Sequence, residues 1–208
     1  MKILITGGSG LLGQALAGCL VPRHSLMLIS RTGRGGTVVC DLREEKHVEK
    51  LLETNAFEAV IHAAAYSDVN GCERDPKEAF ENNTLSTVYL AKACALRKIP
   101  FIYISTDYVF NGENQAPYQE ADTVFPINTY GMTKLAGEYY ARFLHPAVMI
   151  VRTSWLFGPG NPNNFVNAIT QRLHNEKVVK VLADQEDSPT YTKDLALAVQ
   201  KICEYLGS

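Results

Sequence analysis

Tyr130, Lys134 and Thr106 are the residues of this chain whose types and spacing could do chemistry. Tyr130-Gly131-Met132-Thr133-Lys134 sets a phenol and an amine four residues apart, which on a helix means one face. A free tyrosine keeps its proton to about pH 10. An ammonium close by favours the phenolate and draws that value toward the working range. Ser105-Thr106-Asp107, upstream, would bring a second hydroxyl from a strand end to polarise the same substrate oxygen. The three together would form an acid–base site beside a carbonyl. A Tyr-x-x-x-Lys pair alone also occurs as an ordinary exposed helix face, so the surrounding elements decide its meaning.

Those elements alternate along the chain. Ile3-Leu4-Ile5 reads as a strand that stops at Thr6-Gly7-Gly8-Ser9-Gly10-Leu11-Leu12-Gly13, and an amphipathic helix follows through Leu12, Ala15, Leu16 and Cys19. Strand, glycine turn and helix in that order are the setting a dinucleotide fingerprint requires. Gly7 would allow the tight turn and Gly10 the approach of a pyrophosphate to the backbone. Gly13 would allow close packing of helix on strand, with the helix N-terminus facing the phosphates. A second strand, Leu26 to Ile29, ends at Ser30-Arg31-Thr32-Gly33-Arg34. NAD sites place a carboxylate about 20 residues past the glycines, yet no Asp or Glu lies between Gly13 and Asp41. Arg31 and Arg34 stand there instead and suit a 2'-phosphate, so NADPH is preferred, with NADH not excluded.

Val38-Val39-Cys40 leads to Asp41-Leu42 as a third strand, followed by a helix from about Glu44 to Thr54. Ala59 to Ala65 is a fourth strand. Its small terminal residues would let a flat ligand lie against the backbone, and its His62 reads as packed rather than basic. A helix from Pro76 to about Leu96 carries Asn83, a modest helix former that suggests a polar contact. Phe101 to Ile104 is a fifth strand and delivers Thr106. A long loop with Gly112, Pro117 and Pro126 follows, and loops of that length are usually functional. The Tyr130 to Phe143 helix, a sixth strand at Val148 to Val151, a helix ending near Asn175, a seventh strand at Val178 to Leu182 and a helix from Lys193 to Leu206 complete the pattern. It predicts an α/β fold: a Rossmann-type doubly wound parallel sheet of about seven strands with helices on both faces.

Composition narrows the function classes. A formal charge of -2 offers no electrostatic support for nucleic-acid binding, and no apolar run is long enough to span a bilayer. The N-terminus does not resemble a signal peptide, and the scattered Cys19, Cys40, Cys72, Cys94 and Cys203 read as reduced thiols of a cytoplasmic protein. No acidic cluster accompanies the site, so no metal is expected. At 208 residues the chain fits one NAD(P)-binding domain, 1–208. Helix faces on this fold can serve as core or interface, which leaves a homodimer open.

The glycine turn, Ala63-Ala64-Ala65 and Tyr130 to Lys134 resemble the extended branch of the short-chain dehydrogenase/reductase superfamily. Ala65-Tyr66, Ser105-Thr106-Asp107-Tyr108-Val109-Phe110, Arg152-Thr153-Ser154-Trp155, Asp184-Gln185 and Ser188-Pro189-Thr190-Tyr191 are similar to the dTDP-4-dehydrorhamnose reductases within it. The resemblance implies hydride transfer from NAD(P)H to a nucleotide-linked 4-keto sugar. Tyr130 would be the acid, Lys134 would lower its pKa and hold the nicotinamide ribose, and Thr106 would bond the carbonyl oxygen. Gly7, Gly10, Leu11, Leu12, Gly13, Arg31, Asp41, Leu42, Ala63, Ala64, Ala65, Tyr66 and Asn83 would line the cofactor, while Tyr108 and Trp155 would face the sugar. Members of that family normally continue for several tens of residues, so 153–192 is expected to hold only part of a reduced C-terminal substrate lobe. Two other readings stay open: a nucleotide-sugar epimerase or dehydratase, and a non-catalytic module resembling the regulatory beta subunit of methionine adenosyltransferase.

Overall fold

The structure is a computed structural model and describes residues 1–159, 164–181 and 185–206. β1 (Lys2–Thr6) is followed by α1 (Leu11–Leu20), β2 (Ser25–Ser30), β3 (Val38–Val39), α2 (Glu45–Glu53) and β4 (Ala59–His62). Then come α3 (Val69–Arg74), α4 (Pro76–Phe80), α5 (Ser86–Arg97), β5 (Phe101–Thr106), α6 (Thr129–Leu144) and β6 (Met149–Thr153). β7 (Leu156–Phe157), α7 (Phe165–Asn175), β8 (Thr190–Tyr191) and α8 (Thr192–Leu206) follow. No described helix is long and apolar enough to cross a membrane.

Six strands form one parallel sheet in the order β3-β2-β1-β4-β5-β6. Ile3 pairs with Leu26 on one side and Ala59 on the other, so β1 and β4 lie at the sheet centre. The pleat sends alternate residues to opposite faces. Leu4, Val60, Phe101 and Tyr103 pack on Val48 and Leu52 of α2 and on Leu90 and Cys94 of α5. Ile3, Ile5, Ile61 and Ile102 pack on Leu12, Leu16 and Leu20 of α1 and on Leu195 and Val199 of α8. With both faces covered, the central strands must be largely apolar, which is why they read as near-continuous runs up to their polar carboxyl ends. The strand order reverses between β1 and β4. An open sheet presents its ligand crevice at that switch point, beyond the carboxyl ends of the strands.

Four local expectations are corrected. The fourth strand ends at His62, and Ala63-Ala64-Ala65 run on without ladder bonds. The long helix after Pro76 is broken into α4 and α5 by a π-helical turn at Glu81–Leu85, which places buried Asn83 and Thr84 against α6. α3 has no counterpart among the sequence expectations. Val178 to Val181 form no strand. Val178 and Val181 are exposed, so β-branched composition without a sheet edge to join does not suffice, and Leu182 lies outside the described residues. The main sheet therefore has six strands, with β7 and β8 pairing separately in parallel.

The glycine turn is fixed by contact as well as by conformation. Gly7 has φ +68, and a Cβ on Gly13 would lie 2.2 Å from the Gly7 carbonyl oxygen. Gly18, on the same helix, has open space around it. Gly13→Ala should therefore destabilise the protein by about 1–3 kcal/mol through overpacking against backbone. Gly18→Ala should stabilise it by up to about 1 kcal/mol through helix propensity. Urea midpoints of the two variants check this pair, and a Gly13→Ala midpoint at or above wild type would refute the close-packing account.

Candidate functional site

One large cavity of about 850 Å³ opens at the switch point, between the ends of β1, β2, β4, β5 and β6. Gly7, Gly10, Leu11, Leu12, Gly13, Arg31, Asp41, Leu42, Ala63, Ala64, Ala65 and Tyr66 line one arm of it. Thr106, Tyr108, Tyr130, Lys134 and Trp155 line the other. Residues up to 178 positions apart in the chain thus share one space, since Gly7 and Gln185 both line it. Asn83 stands behind the wall. Its side chain accepts from Tyr66 N at 2.7 Å and donates to the Tyr66 carbonyl and to Thr133 Oγ1 at 3.1 Å each. Its contacts shape the Tyr66 segment, in place of the cofactor contact expected of it.

At the first arm, α1 begins after Gly10 with no side-chain cap. The first amides of a helix have no intrahelical acceptor, so uncapped they suit an anion. A Cβ on Gly10 would meet the Gly7 carbonyl at 3.1 Å, so the turn is as closely drawn as a pyrophosphate cradle requires. Arg31 is exposed at the end of β2, where its Nη1 donates to Asn82 Oδ1 at 3.3 Å. Arg34 is exposed in a short 3-10 turn and does not line this cavity. Arg43, for which the sequence raises no expectation, does line it. Its Nε donates to Asp41 Oδ1 at 3.0 Å and its Nη2 to Oδ2 at 2.6 Å, and these bonds hold the Asp41 carboxyl below the usual carboxylate range. The signal is there as an aspartate and an arginine two residues apart, but nothing in that spacing marks a pocket wall.

The other arm is built on α6. Asn128 caps it by accepting from Gly131 N at 2.7 Å. A Cβ on Gly131 would lie 2.1 Å from the Tyr108 carbonyl oxygen, so glycine lets the first turn of α6 press against the segment after β5. That sets the Tyr130 hydroxyl beside Thr106 in the cavity wall. Thr106 Oγ1 also donates to Asp107 Oδ1 at 3.0 Å and accepts from Tyr108 N at 3.2 Å. Tyr108 and Tyr130 meet edge to face with ring centroids 5.7 Å apart. Trp155 packs edge to face on Phe165 at 4.5 Å and holds φ +40, a left-handed backbone that a bulky residue adopts only under constraint. Phe165, Gln185 and Thr153, whose buried Oγ1 has no partner among the described residues, also line the cavity; Thr153 and Gln185 fall in stretches that carry the resemblance, but none of the three is expected from the sequence as a site residue.

The electrostatics differ from expectation at the central pair. Lys134 is 2% exposed; its Nζ donates to the Ile104 carbonyl at 2.7 Å and sits 4.1 Å from the Tyr103 ring centroid. Burial pulls the lysine down to about 7, and Glu138 works in the opposite direction. Burial also raises the Tyr130 phenol, and only the nearby Thr106 hydroxyl acts to lower it. The expected depression by Lys134 is therefore replaced by a phenol that keeps its proton, because the amine is turned onto a backbone carbonyl. A protonated phenol beside a polarising threonine can donate to an oxygen that is gaining negative charge.

His62 behaves as a packed residue. It is fully buried, with Nδ1 2.7 Å from Thr6 Oγ1 and Nε2 3.1 Å from Thr87 Oγ1, and burial lowers its pKa well below the usual value. Asp184, which belongs to a motif noted in the sequence, lies outside the described residues.

Comparison with known proteins matches residues 1–207 to the RmlD substrate binding domain. A dTDP-4-dehydrorhamnose reductase of Mycolicibacterium smegmatis is 35% identical over 204 residues, covering 98% of this chain and 60% of the relative. A crystal structure of a dTDP-4-dehydrorhamnose reductase from Clostridium acetobutylicum superposes with a TM-score of 0.92 at 35% identity, covering 100% of this chain and 71% of that one. The Bacillus anthracis reductase in complex with NADP gives 0.91 at 32% identity, covering 99% and 71%. The chain thus spans three-fifths of the Mycolicibacterium relative's length.

Asp107 supplies a pH test of the catalytic end. Its carboxyl is pushed up to about 6, first by burial and then by Asp187. The folded protein therefore holds this proton more tightly than the unfolded chain, whose value is near 4. Its contribution to stability is full below about pH 4 and is lost as pH rises through about 6. Relative to Asp107→Asn, wild-type stability measured by urea unfolding should fall across that window, and a pH-independent difference would contradict the assigned environment.

Proposed function

The chain belongs to the family of the RmlD substrate binding domain, and from that premise we propose that it is an NADPH-dependent reductase of a nucleotide-linked 4-keto sugar. The substrate is dTDP-4-dehydro-L-rhamnose and the product dTDP-L-rhamnose. One observation supports this most: Tyr130 and Thr106 stand side by side in the same cavity as the Gly7–Gly13 turn. A dinucleotide laid along that turn would leave its far end beside the phenol.

When bound, the reduced dinucleotide supplies the hydride, which goes to C4 of the sugar. The chain's own residues do the rest. Tyr130 gives its hydroxyl proton to the carbonyl oxygen, so the C=O double bond becomes a C–H and an O–H bond, and solvent returns the proton to the phenol. Thr106 would turn its hydroxyl from Asp107 to that oxygen and polarise it, and Lys134 would hold the nicotinamide ribose. The uncapped start of α1 takes the pyrophosphate, and Arg31 takes the 2'-phosphate. Tyr108 and Trp155 form the walls against which the sugar ring stands, and they exclude water from the reacting carbon. The Asp107–Asp187 pair motivates a second reading, elimination of water from the sugar. That reaction would turn over with no net consumption of NADPH.

NADPH oxidation in the presence of dTDP-4-dehydrorhamnose is the decisive assay. Tyr130→Phe should lower kcat by about 10²–10⁴-fold, the usual worth of a positioned acid, with NADPH binding retained. Equal turnover would remove Tyr130 as the acid, and tight NADPH binding without turnover in wild type would favour the regulatory-module reading. Arg31→Ala should weaken NADPH about tenfold or more, the loss of one charge-assisted contact, and NADH far less. Fluorescence titration with both dinucleotides checks this, and an equal loss for the two would eliminate the 2'-phosphate assignment.

A further inference from the structure

Glu138 is a fully buried carboxylate that the proposed chemistry does not use. It lies one helical turn beyond Lys134 on α6, on the same face. Three groups fix it. Arg152 on β6 donates from Nε to Oε1 at 2.9 Å and from Nη2 to Oε2 at 2.7 Å, and Ser105 at the end of β5 donates to Oε1 at 2.6 Å. Arg142 approaches Oε2 at 3.9 Å from the solvent side. A charge taken fully out of water is costly unless paired, and the bidentate fork is the geometry that retains it as a carboxylate.

We propose that Glu138, clamped by Arg152, is a positioning residue that keeps the Lys134 side chain in its ammonium form. The inference rests on the proposed role of Lys134 in the site. The groups facing Lys134 explain why one is needed. Tyr103 from β5 offers a ring face and the Ile104 carbonyl, both of which favour a cation but carry no charge. His62 from β4 is neutral through burial, and Tyr130 on α6 keeps its proton. Asp107, after β5, is directed to Thr106 and Asp187 instead. Glu138 is left as the group whose charge opposes the desolvation of Lys134. Arg152 tempers it: the fork holds the carboxylate in place and offsets part of its field. Lysine and carboxylate therefore form one electrostatic unit that spans α6 and the ends of β5 and β6.

The test reads the amine directly. Free protein labelled with ¹³C at the lysine ε-carbons is titrated by NMR, with the Lys134 signal assigned by its loss in Lys134→Arg. Wild-type Lys134 should titrate near 7. Glu138→Gln should move that midpoint down by at least one pH unit, and Glu138→Asp should restore part of it. A graded response, larger in Glu138→Gln than in Glu138→Asp, is not what loosened packing produces. An unchanged midpoint in Glu138→Gln overturns the proposal. If that variant does not fold, Glu138→Asp decides in its place, a midpoint below wild type in support and an unchanged one against. The descending alkaline limb of kcat should follow the same displacements. Because the titration needs neither substrate nor dinucleotide, it separates the role of Glu138 from reductase turnover, even in a protein that shows none.

Discussion

The hydrogen bond from Lys134 Nζ to the Ile104 carbonyl is the constraint on which the rest of the site depends. It crosses from α6 to the end of β5 inside the protein, where water cannot substitute for either partner. An ammonium in that position fixes the rotation of α6 about its own axis, and that rotation aims Tyr130 at Thr106. The same helix is fixed a turn further on by Ser105 and Arg152 acting on Glu138, and a turn earlier by Gly131 pressed on the Tyr108 backbone. Shifting α6 by one residue would break all three contacts together. The geometry proposed for catalysis is therefore a property of helix docking, and the segment after β5 follows it.

A second set of polar contacts joins this helix to the glycine turn. Thr87 Oγ1 donates to the Asn83 carbonyl, so toward His62 it can only accept, and His62 Nε2 carries the ring proton. Nδ1 then accepts from Thr6, whose oxygen in turn accepts from Ala64 N. Asn83 continues the path to Tyr66 and Thr133, and Thr133 donates to the Tyr130 carbonyl. Each member has a partner for the atoms it buries, which is the condition for such a network to hold a core rigid. It runs behind the cavity wall, from the Ala64–Tyr66 segment to the Tyr130 turn of α6. The π-helical turn at Glu81–Leu85 belongs to this path, because it is what sets Asn83 inward while the chain on both sides stays helical.

The sequence carries the parts of the fold that rest on local physics. Ile3 to Ile5 and Phe101 to Ile104 announce buried strands, and Gly7, Gly10 and Gly13 announce the turn, because each pattern is a response to its own near neighbours. The four-residue step from Tyr130 to Lys134 is legible for the same reason. The direction of the Lys134 amine is not, since it depends on a carbonyl 30 residues away. Asn83 gives away its polarity but not its target, because the widened turn that redirects it has no sequence signature. Val178 to Val181 read as a strand from composition, yet a strand exists only where an edge is free to receive it. Arg43 and Phe165 are invisible because their importance comes entirely from what the fold sets opposite them.

That division also explains how charge is distributed in the site. At the cofactor arm the cations stand near solvent: Arg31 has about half its side chain exposed and Arg43 about a third. Solvent-exposed cations are cheap to maintain and are screened, which suits recognition of a mobile anionic ligand. At the catalytic arm the order is reversed. Lys134 and Glu138 are buried almost completely, and each charge exists only because another group has been placed to sustain it. Such an arrangement is poor as a source of stability, because the desolvation of both ions opposes it. It is well suited to holding a proton inventory fixed while a carbonyl oxygen gains charge nearby, since buried charges respond strongly to one another and little to the solvent. The chain therefore places its adaptable charges where a ligand must be captured and its rigid ones where a proton must be delivered.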